Sequence, residues 1–231
     1  MKTTILILAA GPARKGWTNA NPKQLAYVQG KPLIVRTIDQ LNKRGYTNDV
    51  VVVTKYKRIK EVSPRYFIPA KNYWRTETIL STQELWDERT IIIHGDTIFS
   101  DVAMDAIVAE PGPLMFIGID DMLHAEAFIF TAEAQAKVKR AAKVASKMAY
   151  MGKAAPLSPK YPRLDSGYQQ GCFFMHWAFY RELSGWPIED LYENAYNPLI
   201  HKMISHDYTC DIDTPEQHAQ FLARHKWARS R

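Results

Sequence analysis

The chain has 231 residues, of which 46% are hydrophobic and 23% charged, and an excess of Lys and Arg over Asp and Glu gives a formal net charge of +6. This composition is typical of a globular protein and excludes disordered, collagen-like and coiled-coil chains. The length fits one α/β domain over residues 1–231. No apolar run approaches the roughly 18 residues of a membrane span, and the run at residues 5–10 is too short for a signal peptide. We therefore expect a cytoplasmic protein without a membrane partner.

Short apolar and β-branched runs predict buried strands, and they alternate with amphipathic stretches that predict helices. The strand candidates are residues 4–8, 49–54, 90–94, 114–119, 128–131 and 172–176. Pro32 near a helix start and Gly45 after its end delimit one helix. Further helices are predicted at residues 78–86, 132–149 and 215–224. The alternation predicts an α/β, Rossmann-like fold: a mostly parallel central sheet with helices on both faces, whose ligands bind beyond the carboxyl ends of the strands.

Positive charge is concentrated in one internal segment. Residues 134–164 contain eight Lys and Arg residues but no Asp or Glu, which leaves the rest of the chain slightly acidic. Because this charge is local, we do not expect a nucleic-acid partner. The segment combines the predicted basic helix with a Pro-containing loop, together about residues 132–167. It is either a solvated helix face or an electropositive rim beside an anionic ligand.

The first predicted strand leads into a loop with the sequence GPARKGWT at residues 11–18. A Walker A loop requires Lys after its second glycine, but here Trp17 follows Gly16. A dinucleotide-binding GxGxxG loop requires glycine where this chain has Ala13. The loop therefore fits neither pattern. The cysteines, Cys172 and Cys210, form no CxxC pair, and the histidines show no HxH or HExxH spacing, which argues against a disulfide scaffold and a zinc site.

Two motifs in the same order, LILAAGPAR at residues 6–14 and PKQLAYVQGKPLI at residues 22–34, resemble the signature of the nucleotidyltransferase family with the GT-A-like fold. That family includes sugar-1-phosphate nucleotidylyltransferases and small-molecule cytidylyltransferases. The chain departs from the family pattern at Ala13, where the family has a second glycine, and at Pro12, which lacks an N–H donor.

The resemblance implies a nucleotide site in this loop, with Arg14 and Lys23 as catalytic cations around the triphosphate. In cytidylyltransferases of the family, Arg and Ser or Thr near the base and ribose correspond here to Arg75 and Thr78; the alternative is a helix capped by Thr76. The nucleotide-binding candidates are Leu8, Ala9, Ala10, Gly11, Arg75 and Thr78.

Two acidic stations suit Mg²⁺, which prefers carboxylate and phosphate oxygens. Asp96 follows a predicted buried strand, where the family has a metal-coordinating Asp. Far downstream, Asp211 and Asp213 resemble the family's second station. We expect their side chains to point to opposite faces of a strand, so that only one faces the metal, and we favour Asp213. Alternatively, Asp213 forms a helix-capping box with Glu216. His94 is interpreted as a core residue rather than a ligand.

The sequence thus predicts a Mg²⁺-dependent enzyme that joins an NTP to a phosphorylated small molecule and releases pyrophosphate. The acceptor is a sugar phosphate or, by resemblance to choline-phosphate cytidylyltransferases, a phosphocholine-like compound. An aromatic cage for a quaternary ammonium would come from Trp177, Tyr180, Trp186, Tyr192 and Tyr196, which otherwise pack in the core. Two alternatives stay open. The chain is a GT-A glycosyltransferase in which residues 211–213 form a DxD metal-binding motif, or it is a non-catalytic regulatory homologue. The prediction allows a homo-oligomer.

Overall fold

The computed structural model describes residues 1–13, 15–73, 75–118, 125–150, 201–203 and 208–225. Arg14, the Pro-containing part of the basic segment, the strand predicted at residues 172–176 and the aromatic residues predicted to form a cage lie outside the described residues.

Short strands and helices alternate along the described chain. The strands are β1 (Thr3–Leu8), β2 (Tyr27–Val28), β3 (Lys31–Pro32), β4 (Val50–Val53), β5 (Tyr66–Phe67), β6 (Arg89–His94), β7 (Thr97–Ile98), β8 (Leu114–Gly118), β9 (Ala125–Thr131), β10 (His201–Met203) and β11 (Cys210–Asp211). The helices are α1 (Leu33–Asn42), α2 (Lys57–Glu61), α3 (Arg75–Ser81), α4 (Asp101–Ala109), α5 (Gln135–Tyr150) and α6 (Pro215–Arg224). Within the described ranges, no helix has both the length and the apolar character of a membrane span.

In the described part of the chain, a seven-stranded sheet with the order β10-β8-β9-β6-β1-β4-β5 forms the centre of the fold. β1 pairs in parallel with β4 and β6, β4 with β5, and β8 with β10. β9 alone among these strands runs antiparallel to its neighbours, β6 and β8. The predicted α/β class with a mostly parallel sheet is confirmed. The carboxyl ends of β1, β4 and β6 lie at one edge of the sheet.

Apolar side chains on both faces of the central strands are buried, as expected of parallel strands covered by helices. Ile5 and Ile7 of β1 pack in a core with Ile38 of α1 and Met104 of α4. Leu6 points to the opposite face and is buried as well. The uninterrupted apolar runs seen in the sequence follow from this double burial.

The helix predicted at residues 78–86 is in fact two elements. α3 already begins at Arg75 and ends at Ser81, and a separate 3-10 turn follows at Gln83–Leu85. The hydroxyl of Ser81 donates to the Glu77 carbonyl at 2.9 Å, and that of Thr82 to the Ile79 carbonyl at 2.7 Å. Such bonds from side chain to backbone compete with the regular helical pattern, which explains the interruption.

Gly95, directly after β6, brings the ends of β1 and β6 close together. Its N–H donates to the Leu8 carbonyl at 3.0 Å. A Cβ atom at position 95 would lie 2.9 Å from the Leu8 oxygen and 3.3 Å from Ala9 Cβ. Only glycine allows this approach of the two backbones, and the turn that it makes carries Asp96 to the carboxyl edge of the sheet.

We therefore expect Gly95→Ala to destabilise the protein by about 1–3 kcal/mol, because the added methyl group overlaps backbone that cannot easily move. For a chain of this size the melting temperature should fall by roughly 2–4 °C per kcal/mol. Gly11→Ala is the matched control, since no atom of the described residues lies within 4 Å of a Cβ at that position. Equal melting temperatures for the two variants in a thermal unfolding experiment would contradict the close approach at Gly95.

Candidate functional site

A cavity opens at the carboxyl edge of the sheet, beside the ends of β1 and β6. The loop after β1 forms one wall, the start of α3 another, and the acidic residues after β6 and β11 contribute the floor. The lining residues are Leu8, Ala10, Gly11, Pro12, Ala13, Lys15, Trp17, Pro22, Lys23, Gln24, Asn72, Tyr73, Arg75, Thr78, His94, Asp96 and Asp213.

A small antiparallel ribbon brings the two acidic stations together. β7 follows Asp96 directly and pairs with β11, so that Thr97 lies opposite Asp211. The Ile212 N–H donates to the Asp96 carbonyl at 3.0 Å, which extends the contact beyond the ribbon. Residues more than a hundred positions apart in sequence are therefore neighbours.

The ammonium of Lys23 lies among the three carboxylates. Its Nζ atom is 2.5 Å from Asp96 Oδ2, 2.9 Å from Asp213 Oδ1 and 4.0 Å from Asp211 Oδ1. The Lys23 and Asp96 side chains are only 14% and 13% exposed, so solvent screens their attraction weakly. The expectation that Asp211 and Asp213 face opposite ways is wrong. Side chains two positions apart on an extended chain point to the same face, and both carboxylates lie near Lys23.

A second lysine reaches the same acidic cluster from the other side. Lys15 Nζ pairs with Asp213 Oδ2, and Trp17 Nε1 donates to the Asp213 carbonyl at 3.1 Å. Between them Gly16 has a φ of +89°, and a Cβ there would lie 3.1 Å from Pro215 Cδ. Lys15 was missed in the sequence interpretation, although it stands next to Arg14 in the same loop.

The helix after the second station is capped by Thr214, not by Asp213. Thr214 Oγ1 accepts from the Gln217 N–H at 3.2 Å, and Gln217 Oε1 accepts from the Thr214 N–H at 3.0 Å. The alternative of a capping box between Asp213 and Glu216 is therefore wrong by one residue. Because Thr214 does the capping, the Asp213 carboxylate is available to the lysines.

Opposing effects set the acidity of the three carboxyl groups. Burial raises the pKa of Asp96, but the charges of Lys23, His94 and Arg75 outweigh it and lower this pKa to about 2. Burial also raises the pKa of Asp213, and Lys23 and Lys15 again lower it overall. The pKa of Asp211 lies well above its usual value, because burial and the charge of Asp96 outweigh Lys23.

A buried histidine and glutamate lie beside the acidic cluster. His94 Nδ1 is 3.2 Å from Glu126 Oε2, which also accepts from the Thr97 hydroxyl. His94 is buried, as expected, but its ring also lines the cavity. Burial and the charge of Arg75 lower its pKa, against the effect of Glu126. Glu126 was missed; its only signal in the sequence is a single charge within the apolar strand β9.

The first turn of α3 places Arg75 and Thr78 on the cavity wall, and their binding of a nucleotide stays a prediction. Thr76 is not a helix cap: it lies within α3 and is buried, with its hydroxyl 2.6 Å from Ser146 Oγ on the basic helix α5. The basic helix therefore packs against the helix that carries Arg75. Its Lys137, Lys139, Arg140 and Lys143 are exposed.

The predicted loop residues differ in their position. Leu8, Ala10 and Gly11 line the cavity, whereas Ala9 is buried behind them. Arg14 is not among the described residues, so its place in the site stays a prediction.

The donor set of the acidic cluster fits a hard divalent cation. Asp211 Oδ1 is buried and has no hydrogen-bond partner among the described residues, and it lies beside two further carboxylates. Carboxylate oxygens are the protein ligands that Mg²⁺ prefers. Among the described residues, no group of three or more His, Cys, Asp or Glu side chains is arranged to hold a metal ion. The cation that lies among the carboxylates is the ammonium of Lys23.

No family model and no curated protein matches the chain. Solved structures share its fold. A Bacillus anthracis protein assigned as a glucose-1-phosphate thymidylyltransferase, in complex with a sucrose, is 15% identical with a TM-score of 0.56, over 96% of this chain and 95% of that one.

Two further structures show the same likeness. CMP:2-keto-3-deoxy-manno-octonic acid synthetase, complexed with CTP, is 12% identical with a TM-score of 0.55, over 97% of this chain and 98% of that one. A 4-diphosphocytidyl-2C-methyl-D-erythritol synthase from Anaerococcus prevotii is 12% identical with a TM-score of 0.52, with the same coverage. At these identities the likeness establishes the fold, and it confirms the fold resemblance carried by the motifs of residues 6–34.

The low pKa of Asp96 predicts how its contribution to stability depends on pH. Because the folded pKa, about 2, lies below that of roughly 3.9 for an unfolded Asp, the ionised group stabilises the fold above about pH 4. This contribution, on the order of 2 kcal/mol, is lost as the pH falls from about 4 to about 2. Asp96→Asn should therefore be less stable than the unmodified chain at pH 7, and this difference should narrow below pH 4.

Urea unfolding at pH 7, 4 and 3 in the presence of a chelator measures this difference. Asp39→Asn serves as the control, because Asp39 pairs with Lys31 at the surface, where an ion pair contributes little. A difference between Asp96→Asn and the unmodified chain that stays constant down to pH 3 would contradict the assigned pKa.

Proposed function

We propose that the protein is a Mg²⁺-dependent nucleotidyltransferase that joins an NTP to a phosphorylated small molecule and releases pyrophosphate. The observation that carries this proposal is the convergence of three carboxylates and two lysines beside the loop after β1. The chemistry of the site supports it, since lysines suit a polyphosphate and aspartates suit its counter-cation. The likeness in fold to enzymes that are named for nucleotidyl transfer adds support.

In this proposal Lys15 and Lys23 bind oxygens of the triphosphate. Asp96, with Asp213 or Asp211, would hold Mg²⁺, which when bound neutralises phosphate charge and makes the α-phosphorus more electrophilic. Arg75 and Thr78 position the nucleoside, because they stand on the first turn of α3 at the cavity wall. The proposed ligand requires positive side chains for its phosphates and negative side chains for Mg²⁺, and the site contains both.

The reaction requires no general base. An oxygen of the acceptor phosphate, already ionised at neutral pH, attacks the α-phosphorus; a new P–O bond forms, the bond from the α-phosphorus to the bridging oxygen breaks, and pyrophosphate leaves with that electron pair. Catalysis then consists of alignment and neutralisation of charge. We infer that the chain's side chains serve these two purposes, and that His94 does not accept a proton from the acceptor.

We propose an anionic acceptor, a sugar phosphate or a phosphocholine-like compound. The exposed basic face of α5 supports this choice, because α5 packs on α3 through the pair Thr76 and Ser146, next to Arg75. CTP is the first nucleotide to test, since one protein of similar fold was solved with CTP.

Pyrophosphate release tests the proposed function. Purified protein with Mg²⁺, each of the four NTPs, and a panel of sugar phosphates and phosphocholine should release pyrophosphate with at least one pair of substrates. A glycosyltransferase would instead release a nucleoside diphosphate from a nucleotide sugar, without pyrophosphate. If no pair yields pyrophosphate while the protein is folded and binds nucleotide, the proposed reaction is wrong.

The central position of Lys23 gives a sharper test. Lys23→Ala should reduce kcat/KM for the NTP by about 10²–10³-fold, because a cation next to the transferred group is lost. Lys31→Ala is the matched control: Lys31 pairs with Asp39 at the surface, and its side chain is 58% exposed. Steady-state kinetics with pyrophosphate as readout compares the two variants. Equal kcat/KM values would remove Lys23 from the reaction.

A further inference from the structure

Side chains from other segments hold the loop after β1 by hydrogen bonds to its backbone carbonyls. Thr54 Oγ1 donates to the Ala9 carbonyl at 3.1 Å, and Asn72 Nδ2 donates to the Ala10 carbonyl at 2.7 Å. The Tyr56 hydroxyl donates to the next carbonyl, that of Gly11, at 2.5 Å. Three consecutive carbonyl groups therefore have partners that the sequence interpretation did not identify.

Tyr56 makes two contacts with this loop. Besides donating to the Gly11 carbonyl, its oxygen lies close enough to the backbone N–H of Ala13 for that group to lower the pKa of Tyr56. Burial raises the pKa of Tyr56, against a smaller opposite effect of the Ala13 N–H, so the hydroxyl keeps the proton that it donates. The residue is 5% exposed, and its ring packs in the main core with Ile5 and Ile59. The hydroxyl thus contacts both Gly11 and Ala13, while the buried ring is held in the core.

The two contacts reduce the number of backbone donors in the loop. Pro12 has no N–H, and the N–H of Ala13 faces the Tyr56 oxygen. The Ala9 carbonyl and the Ala10 N–H belong to the same trans peptide and point in opposite directions. Because the Ala9 carbonyl points to Thr54, the Ala10 N–H points away from Thr54. Tyr56 and Thr54 are absent from the cavity lining, whereas Ala10 and Gly11 belong to it. Among the described residues of the loop, Pro12 and Ala13 therefore do not direct a backbone N–H to a ligand.

We propose that Tyr56 is a positioning residue of the nucleotide site: its hydroxyl holds residues 11–13 in place and leaves the polyphosphate to the side chains of Lys15 and Lys23. This inference rests on the proposed function. It also accounts for Pro12 and Ala13, because a loop whose second half is held by a side chain does not need the N–H groups that a glycine-rich loop would offer. Tyr56 acts through the loop and does not contact the nucleotide.

Tyr56→Phe tests the proposal, since it removes the hydroxyl and keeps the ring in the core. Loss of the two contacts should raise the dissociation constant for the NTP about three- to tenfold, with little change in KM for the acceptor. Hydrogen exchange of the backbone amides of Ala10, Gly11 and Ala13 should become faster. Tyr46→Phe is the matched control, because Tyr46 packs against the same core at a distance from the loop.

Calorimetric titration with the NTP and amide exchange followed by mass spectrometry separate the possible failures. If the unmodified chain binds no NTP, the proposed function fails, and faster exchange in Tyr56→Phe alone would still show that the hydroxyl holds the loop. If the unmodified chain binds NTP and Tyr56→Phe binds it equally well or more tightly, Tyr56 is not a positioning residue. A parallel change in Tyr46→Phe would reduce the effect to general loss of stability and would overturn the proposal in the same way.

Discussion

The contact of the Lys23 ammonium with the carboxylates of Asp96 and Asp213 is the interaction on which the site depends. A buried charge is costly unless it is paired, and removal of one partner leaves the other uncompensated. Three carboxylates from two distant segments would repel one another without a cation among them. Lys23 supplies that cation, and Lys15 supplies a second one to Asp213. The protein without ligand is therefore internally neutralised where its acidic residues meet.

In the proposed function, this pairing would favour a ligand that contains both a divalent cation and several phosphate groups. A polyphosphate alone would compete with the aspartates for the lysines, and a cation alone would compete with the lysines for the aspartates. A complex of the two offers a new partner to each side chain at once, so that no buried charge is left unpaired during the exchange. The strength of the internal ion pairs thus favours the complex over either component.

Rigid backbone contacts hold the charged groups in register. Gly95 brings the turn before Asp96 against the end of β1, and the Ile212 N–H ties the second station to the Asp96 carbonyl. Gly16, at a φ of +89°, brings the segment of Lys15 against Pro215. Because each of these contacts joins backbone to backbone or to a proline ring, the acidic cluster tolerates little relative movement.

The sequence predicted the parts of the fold that rest on local patterns. Continuous apolar runs identified β1, β4 and β6, and Pro32 with Gly45 delimited α1. Asp96 was found because a carboxylate after a buried strand lies at the ligand-binding edge of a parallel sheet. Lys15, Glu126 and Tyr56 were missed because their roles depend on partners far away in the chain: Asp213, His94 and Gly11. The orientation expected of Asp213 relative to Asp211 was wrong, because side chains two positions apart on a strand point to the same face and not to opposite faces.

The net charge of +6 does not come from the candidate site, where acidic and basic side chains meet in similar numbers. Much of it lies on α5, whose Lys137, Lys139, Arg140 and Lys143 are exposed. Exposed charges act over about a Debye length and are screened by salt, so they affect the approach of an anion more than its final binding. Lys23 is mostly buried and holds a fixed position, which suits it to the bound state. Through the pair Thr76 and Ser146, α5 adjoins α3, the helix that carries Arg75 at the cavity wall.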